Sequence, residues 1–261
     1  DYMLPYNKKM FADQLNDLGT YWLEKLPSVS FKETLLSCLK HQAYGTQPGH
    51  AEFYYPKYYG YGEVWKRMAV SLKDKIIYNC EITGIDFSRN KVMTSEGIEY
   101  DATYIITTIP WVTFRVIHGM PEKRINMRNE LKSTSVEVRY CDSNLDTQAQ
   151  WIYYPSENLA FHRILVRHNF CQGSRGYWME TRGERVNMFE RDMKTGAYSY
   201  VNQYAYPLNT LNKPLIMKEL LSFAKSKNVY VLGRWGEHCH YNSDVTVELA
   251  MKLADSFCDT E

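Results

Sequence analysis

The sequence predicts an α+β chain, with an antiparallel-sheet and helical region joined to the carboxyl-terminal part of an α/β domain. Three observations carry that expectation. Near the start, apolar residues recur at helical spacing, at Phe11, Leu15, Leu18, Trp22 and Leu26, then at Phe31, Leu35, Leu36 and Leu39. The middle alternates with period two through Val136/Val138, Trp151/Tyr153, Phe161 to Val166, Tyr177 to Glu180 and Gln203 to Tyr206, the pattern of about five half-buried antiparallel strands. The end returns to a helix at 216–227, a strand at 229–232, a loop opening on Gly233 and a last helix from Asp244 to about Phe257.

The remaining elements follow in order. The first helical run stops at Pro27, which cannot continue it. Residues 41–50 read as a loop, and Tyr54 to Gly62 as a glycine-punctuated turn before the helical run of Val64, Trp65, Met68, Ala69 and Leu72. From Ile76 the period shortens. Ile82, Ile85 and Phe87, then Val92 and Thr94, then Ile98 and Tyr100 form a three-stranded meander with turns at Ser88-Arg89-Asn90-Lys91 and Glu96-Gly97, and a buried strand at 104–108 follows. Asp244 is the expected N-cap of the last helix, because its carboxylate can accept from first-turn amides. The resulting segments are 1–74, helical; 75–110, the meander; 111–210, the antiparallel sheet; and 211–261, strand and helix.

Composition excludes several classes. With 31 Lys+Arg against 30 Asp+Glu the net charge is +1, so no global field favours nucleic acid or an anionic membrane, and any anion must meet a local cluster. Six cysteines without CxxC pairs fit reduced thiols and a cytoplasmic setting better than a disulfide framework. No apolar run reaches the length of a membrane span. His238-Cys239-His240 has no second ligand cluster, so no metal is expected. Twenty-two tyrosines suit either an aromatic core or stacking against sugars and bases.

Chemistry concentrates at Tyr230 to Gly236, a strand running into a glycine turn ahead of a helix start, where unpaired amides and a partial positive charge can meet an electron-rich ligand. Gly233-Arg234-Trp235-Gly236-Glu237 through Tyr241-Asn242-Ser243-Asp244-Val245-Thr246 resembles the closing motif of UDP-galactopyranose mutases and related amine-oxidase-like flavoproteins. Four other stretches resemble that family in the same order: Tyr6 to Phe11, Tyr55-Pro56-Lys57 through Trp65, Phe161-His162-Arg163-Ile164-Leu165 through Phe170, and Tyr204-Ala205-Tyr206-Pro207. The likeness spans almost the whole chain.

That resemblance implies a flavin enzyme interconverting the pyranose and furanose forms of a UDP-sugar for cell-surface polysaccharide synthesis. It assigns catalytic roles to Lys25 and Arg163, the substrate to Tyr6, Asn7, Phe11, Tyr206 and His240, and FAD to Ile82, Gly233, Arg234, Asn242, Ser243 and Asp244. A guanidinium such as that of Arg163 can bind two phosphate oxygens and stays charged at any working pH. Three positions depart from the mutase pattern: Phe11 stands in place of a tryptophan, Lys25 of an arginine and His240 of a tyrosine. Flavin folds of this type open with a GxGxxG turn, which the sequence lacks, so an amino-terminal part is expected to be missing and this length alone to take up little or no FAD. A homo-oligomer is compatible with the pattern. Two other readings remain open: an amine-oxidase-type oxidoreductase, and a sugar-nucleotide-binding module without catalysis.

Overall fold

The computed structural model describes residues 2–11, 14–20, 30–42, 53–183 and 198–258. Lys25, Trp22, Leu26 and Pro27 lie outside the described residues, as does most of the 41–50 loop.

Two of the expected helices near the start form, and the third run is described only in part. Helix α1 spans Met3–Met10 and buries Tyr6 and Lys9, three residues apart and so on one face. Helix α2, Phe31–Lys40, is opened by Ser30, whose Oγ accepts from Glu33 N at 3.4 Å, and closed by His41 in the left-handed region. Helix α3, Tyr61–Ser71, follows the glycine turn as expected. Over its described part, the run from Phe11 to Leu18 is not an α-helix. Phe11 ends α1, Leu15–Asp17 is a 3-10 turn, and Leu18 bridges Thr210. The backbone groups a helix would use internally are taken by a distant segment, with Gly19 N donating to Asn209 O at 2.7 Å and Leu211 N to Asp17 O at 3.3 Å.

The meander forms as β1 (Ile82–Asp86), β2 (Lys91–Thr94) and β3 (Glu99–Asp101), all antiparallel. Asp86 shapes its first turn, Oδ1 accepting from Ser88 N and Arg89 N and Oδ2 from Arg89 Nε at 2.7 Å. The next strand, β4 (Ile105–Thr107), stays outside this sheet, and only one of its faces is buried, with Ile105 8% exposed and Ile106 51%. β5 (Val116–His118) adds to β1 in parallel, and α4 (Glu122–Asn129) follows it. Neither was anticipated from the sequence, since EKRINMRN carries no apolar periodicity.

The five alternating segments become a five-stranded antiparallel sheet of β6 (Ser133–Cys141), β7 (Trp151–Tyr153), β8 (Arg163–Leu165), β9 (Tyr177–Arg182) and β10 (Tyr198–Pro207). Its spatial order is β10-β6-β9-β8-β7. Helix α5 (Lys213–Lys225) buries Ile216, Met217, Leu220, Phe223 and Ala224, the spacing of one helical face. The chain then pairs β11 (Val229–Val231) with β4 in parallel, turns through one helical turn, α6 (Gly233–Gly236), and ends in α7 (Ser243–Cys258). Where a loop was expected at Gly233 there is thus a short helix. Asp244 is not the cap of the last helix but lies in its first turn, since the helix starts at Ser243.

Two apolar cores result among the described residues. The larger joins Ile85, Ile105, Trp111, Phe114, Leu220 and Val229, bringing β1, β4 and the last third of the chain together. The smaller lies in the five-stranded sheet and contains Cys141, Phe161, Ile164, Val166 and Met179. None of the six cysteines is in a disulfide, and among the described residues no helix is long and apolar enough to cross a membrane.

Candidate functional site

Cross-strand register builds the first half of the site. Arg163 on β8 is paired with Tyr153 on β7 and with Glu180 on β9, so three strands set these residues in one row. Arg163 Nε donates to Glu180 Oε2 at 2.8 Å, and Nη2 lies 2.6 Å from the same oxygen. Nη2 also donates to the Tyr206 hydroxyl at 3.1 Å, at the far end of β10. Burial lowers the Arg163 pKa, but the surrounding Tyr206 and Glu180 outweigh it and the net shift is upward, so the guanidinium stays charged. Burial would raise the Glu180 carboxyl; His162 and Arg163 outweigh that and hold it below the usual range, as the ionised partner.

Aromatic rings close around this pair. Tyr6 from α1 meets Tyr153 edge-on, with centroids 5.4 Å apart. Phe11 stands edge-on to Tyr206 at 6.1 Å and to His240 at 5.7 Å, and Tyr206 and His240 stack at 5.9 Å with planes 15° apart. Burial pushes the phenols of Tyr6 and Tyr206 upward, so both are neutral donors at ordinary pH. His240 Nε2 is 2.7 Å from the carbonyl of Pro207, which makes that nitrogen the donor. Asn7 sits on the same helix as Tyr6, its side-chain amide donating to Met3 O within α1.

The second half of the site is the turn after β11. Leu232 N donates to Thr107 O, and Gly233 then takes φ +80°, a left-handed conformation that favours glycine. At Gly236 the backbone itself demands glycine, because a Cβ there would lie 2.8 Å from Thr107 O. Trp111 Nε1 donates to Gly236 O at 2.8 Å and ties the turn to the larger core. Arg234 donates through Nε and Nη2 to Tyr241 O, at 3.1 and 2.9 Å, and through Nη1 to Ala205 O at 3.4 Å. Asn242 O accepts from Thr246 N at the start of α7, and Ser243 Oγ accepts from Tyr61 OH at 2.6 Å, which links the glycine turn before α3 to the last helix. Asp244 is exposed in the first turn of α7, where amides have no carbonyl one turn behind them. Ile82 opens β1, half-buried against the larger core.

Arg163 and Arg234 therefore bracket one strand end: one holds the Tyr206 hydroxyl and the other the carbonyl of the preceding residue. Tyr6, Phe11, Arg163, Tyr206, His240 and Arg234, spread over most of the sequence, share one neighbourhood through these contacts. Sequence reading missed Tyr153, His162 and Glu180. A carboxylate inside the strand Tyr177–Arg182, two residues before another charge, was the signal that could have found Glu180.

An α+β fold with a polar, arginine-centred cluster beside a strand-glycine-helix turn defines the class of the chain. It has the fold seen in the crystal structure of reduced UDP-galactopyranose mutase, with a TM-score of 0.76 at 18% identity over 90% of this chain and 58% of that one. It is also similar to a CLA-producing fatty acid isomerase from P. acnes, with a TM-score of 0.56 at 14% identity over 94% of this chain and 62% of that one. The chain thus spans about three-fifths of the length of either solved structure. No family model matches it.

Proposed function

We propose that the protein acts as a flavin-dependent isomerase on a nucleotide-linked sugar, in the manner of a UDP-galactopyranose mutase. The observation that carries this reading is the convergence of Arg163, Tyr206, Phe11, His240 and Arg234 on the end of β10. Arg163 and Tyr206 together offer a cation and a phenolic donor to a diphosphate, Phe11 offers a ring to a sugar or base, and Tyr6, buried and stacked on Tyr2, would shape the wall of that site. Lys25 remains a proposed second cation. By the same resemblance, the product would serve cell-surface polysaccharide synthesis in the cytoplasm.

The turn fits a flavin. Gly233 takes a left-handed φ, Asn242 precedes and Ser243 and Asp244 start a sixteen-residue helix whose first-turn amides lack a carbonyl one turn behind them, and Arg234 is already fixed by two carbonyls. These residues, with Ile82, would hold FAD, which when bound would supply the reactive electron-rich centre. The chain's own part is to orient the sugar, exclude water and neutralise the departing diphosphate. The exposed apolar face of β4 and α7, including Ile106 and Met251, is the proposed seat of the rest of a cofactor domain.

The test is UDP-galactose binding to the full-length gene product by calorimetry, with a flavin spectrum. Arg163→Ala should weaken binding by about 1.5–3 kcal/mol, the range for hydrogen bonds to charged groups. Unchanged affinity would remove Arg163 from the diphosphate. The 261 residues alone should carry little flavin absorbance, and a stoichiometric flavin would overturn that part. A second reading is an amine-oxidase-type oxidoreductase that needs no diphosphate clamp, in which Arg163 would stay held by Glu180. Hydrogen peroxide release insensitive to UDP would select it.

A further inference from the structure

His162 is fully buried, and neither ring nitrogen has a hydrogen-bond partner among the described residues. A buried polar group left in that state costs about 1–3 kcal/mol and calls for a physical account. Its Nε2 lies 3.6 Å from Glu180 Oε2, too far for a hydrogen bond and close enough for an ion pair. That oxygen is the one that takes both contacts from Arg163. A single carboxylate oxygen therefore faces a permanent cation and a group that can become one.

The surroundings decide which state His162 holds. Arg163 is its neighbour on the chain, and α1 brings Lys9 and the Tyr6 ring, 6.2 Å away. β9 brings Glu180 and, two residues on, Arg182, which donates to Lys8 O. Tyr154, beside β7, donates its amide to the His162 carbonyl. Burial, then Arg163 and Lys9, push the imidazole below its ordinary value against the pull of Glu180, so it is neutral in the free protein.

Resting on the reading of Arg163 as the diphosphate ligand, we propose that His162 and Glu180 are positioning residues. Together they form a proton-linked counter-ion behind Arg163, so that a diphosphate enters with one proton. In the step, Arg163 N–H donors turn from Glu180 Oε2 to a ligand oxygen. His162 Nε2 takes one proton from solvent and donates it in a hydrogen bond to the oxygen so released. The cluster gains one positive charge opposite the anion. A bound anion offsets the Arg163 charge that, behind burial, disfavours the imidazolium, so the imidazole binds its proton more strongly in the complex. Affinity then rises as pH falls through the value the imidazole holds in the complex toward its lower value in the free protein.

The test is calorimetry of UDP-galactose on the full-length protein in buffers of different ionisation enthalpy. This probe is chosen because its diphosphate diester has no proton titrating in that range. The expected result is proton uptake that grows as pH falls, with affinity rising by up to about tenfold per pH unit. His162→Gln should abolish the uptake. Glu180→Gln should flatten the pH profile and tighten binding at pH 8 by about 3–10-fold, since Arg163 loses its competing charge. In the unmutated protein, the His162 ring resonance should titrate at higher pH with ligand than without. Binding without proton exchange, or a resonance that the ligand does not move, overturns the coupling and leaves the diphosphate reading intact. No binding at any pH overturns both.

Discussion

Around Arg163 the charged groups find partners within the chain: the guanidinium meets Glu180 and Tyr206, Lys9 Nζ donates to the carbonyls of Tyr154 and Ser156, and Arg182 donates to Lys8 O. Around β4, β11 and α7 the apolar groups are the ones left over, with Tyr104, Ile106, Val245 and Met251 exposed. The antiparallel sheet, with α1 beside it, completes its polar site within the chain, because register sets Arg163 against Glu180 and the fold brings Tyr206 and Lys9 to their partners. A parallel pair needs cover on both faces, and here one face has it from the larger core. The difference teaches that the diphosphate half of the proposed site is preorganised by this chain, whereas the flavin half is only framed by it.

The hardest test of that contrast is Arg163→Ala. If the charges do close on one another, the substitution strands Glu180, and urea unfolding should show a loss of about 3 kcal/mol. The lower end of the usual range applies because the Arg163 side chain keeps 19% exposure. A loss below about 0.5 kcal/mol, the scale of ordinary surface substitutions, would mean the cluster is solvated and not self-contained.

A somewhat smaller effect is expected where the two regions join. His238 Nε2 lies 3.0 Å from Lys132 O at the head of β6, and burial, with a contribution from Lys213, lowers its pKa to about 4. In the unfolded chain the group titrates near about 6.5. The unfolded state therefore takes the proton first, and stability present above about pH 6.5 should fall by roughly 2–3 kcal/mol as pH drops toward 4. Thermal unfolding followed across that window should lose its pH slope in His238→Gln. A midpoint equally steep in both proteins would place the acid sensitivity elsewhere.

The smallest effect separates the two faces of one strand. Ile105→Val should cost about 1 kcal/mol and Ile106→Val less than about 0.5 kcal/mol, since only the first side chain is inside a core. Equal losses would show that the outer face of β4 is covered.

Much of the fold was legible beforehand, for reasons that particular residues make plain. The spacing of Phe31, Leu35, Leu36 and Leu39 marked α2, and the alternation of Tyr177 to Glu180 marked β9, because side-chain periodicity acts over a few residues. Arg163, Tyr206, Phe11 and His240 could be singled out as candidates from their motifs. Glu180 and His162 could not, since nothing local to either says that it will face Arg163. Leu15 and Leu18 misled for the opposite reason: their spacing is helical, yet Asn209 and Thr210 claimed the backbone beside them.

What the sequence determined by itself was the inventory of elements and the residue types capable of binding an anion. Tertiary structure alone decided that β9 lies between β6 and β8, that β4 leaves the meander to pair with β11, and that Arg163 divides its donors between Glu180 and Tyr206. Those partners are 17 and 43 residues away along the chain. Pairing at such distances is settled by how whole faces bury against one another, and no short window of sequence contains that balance.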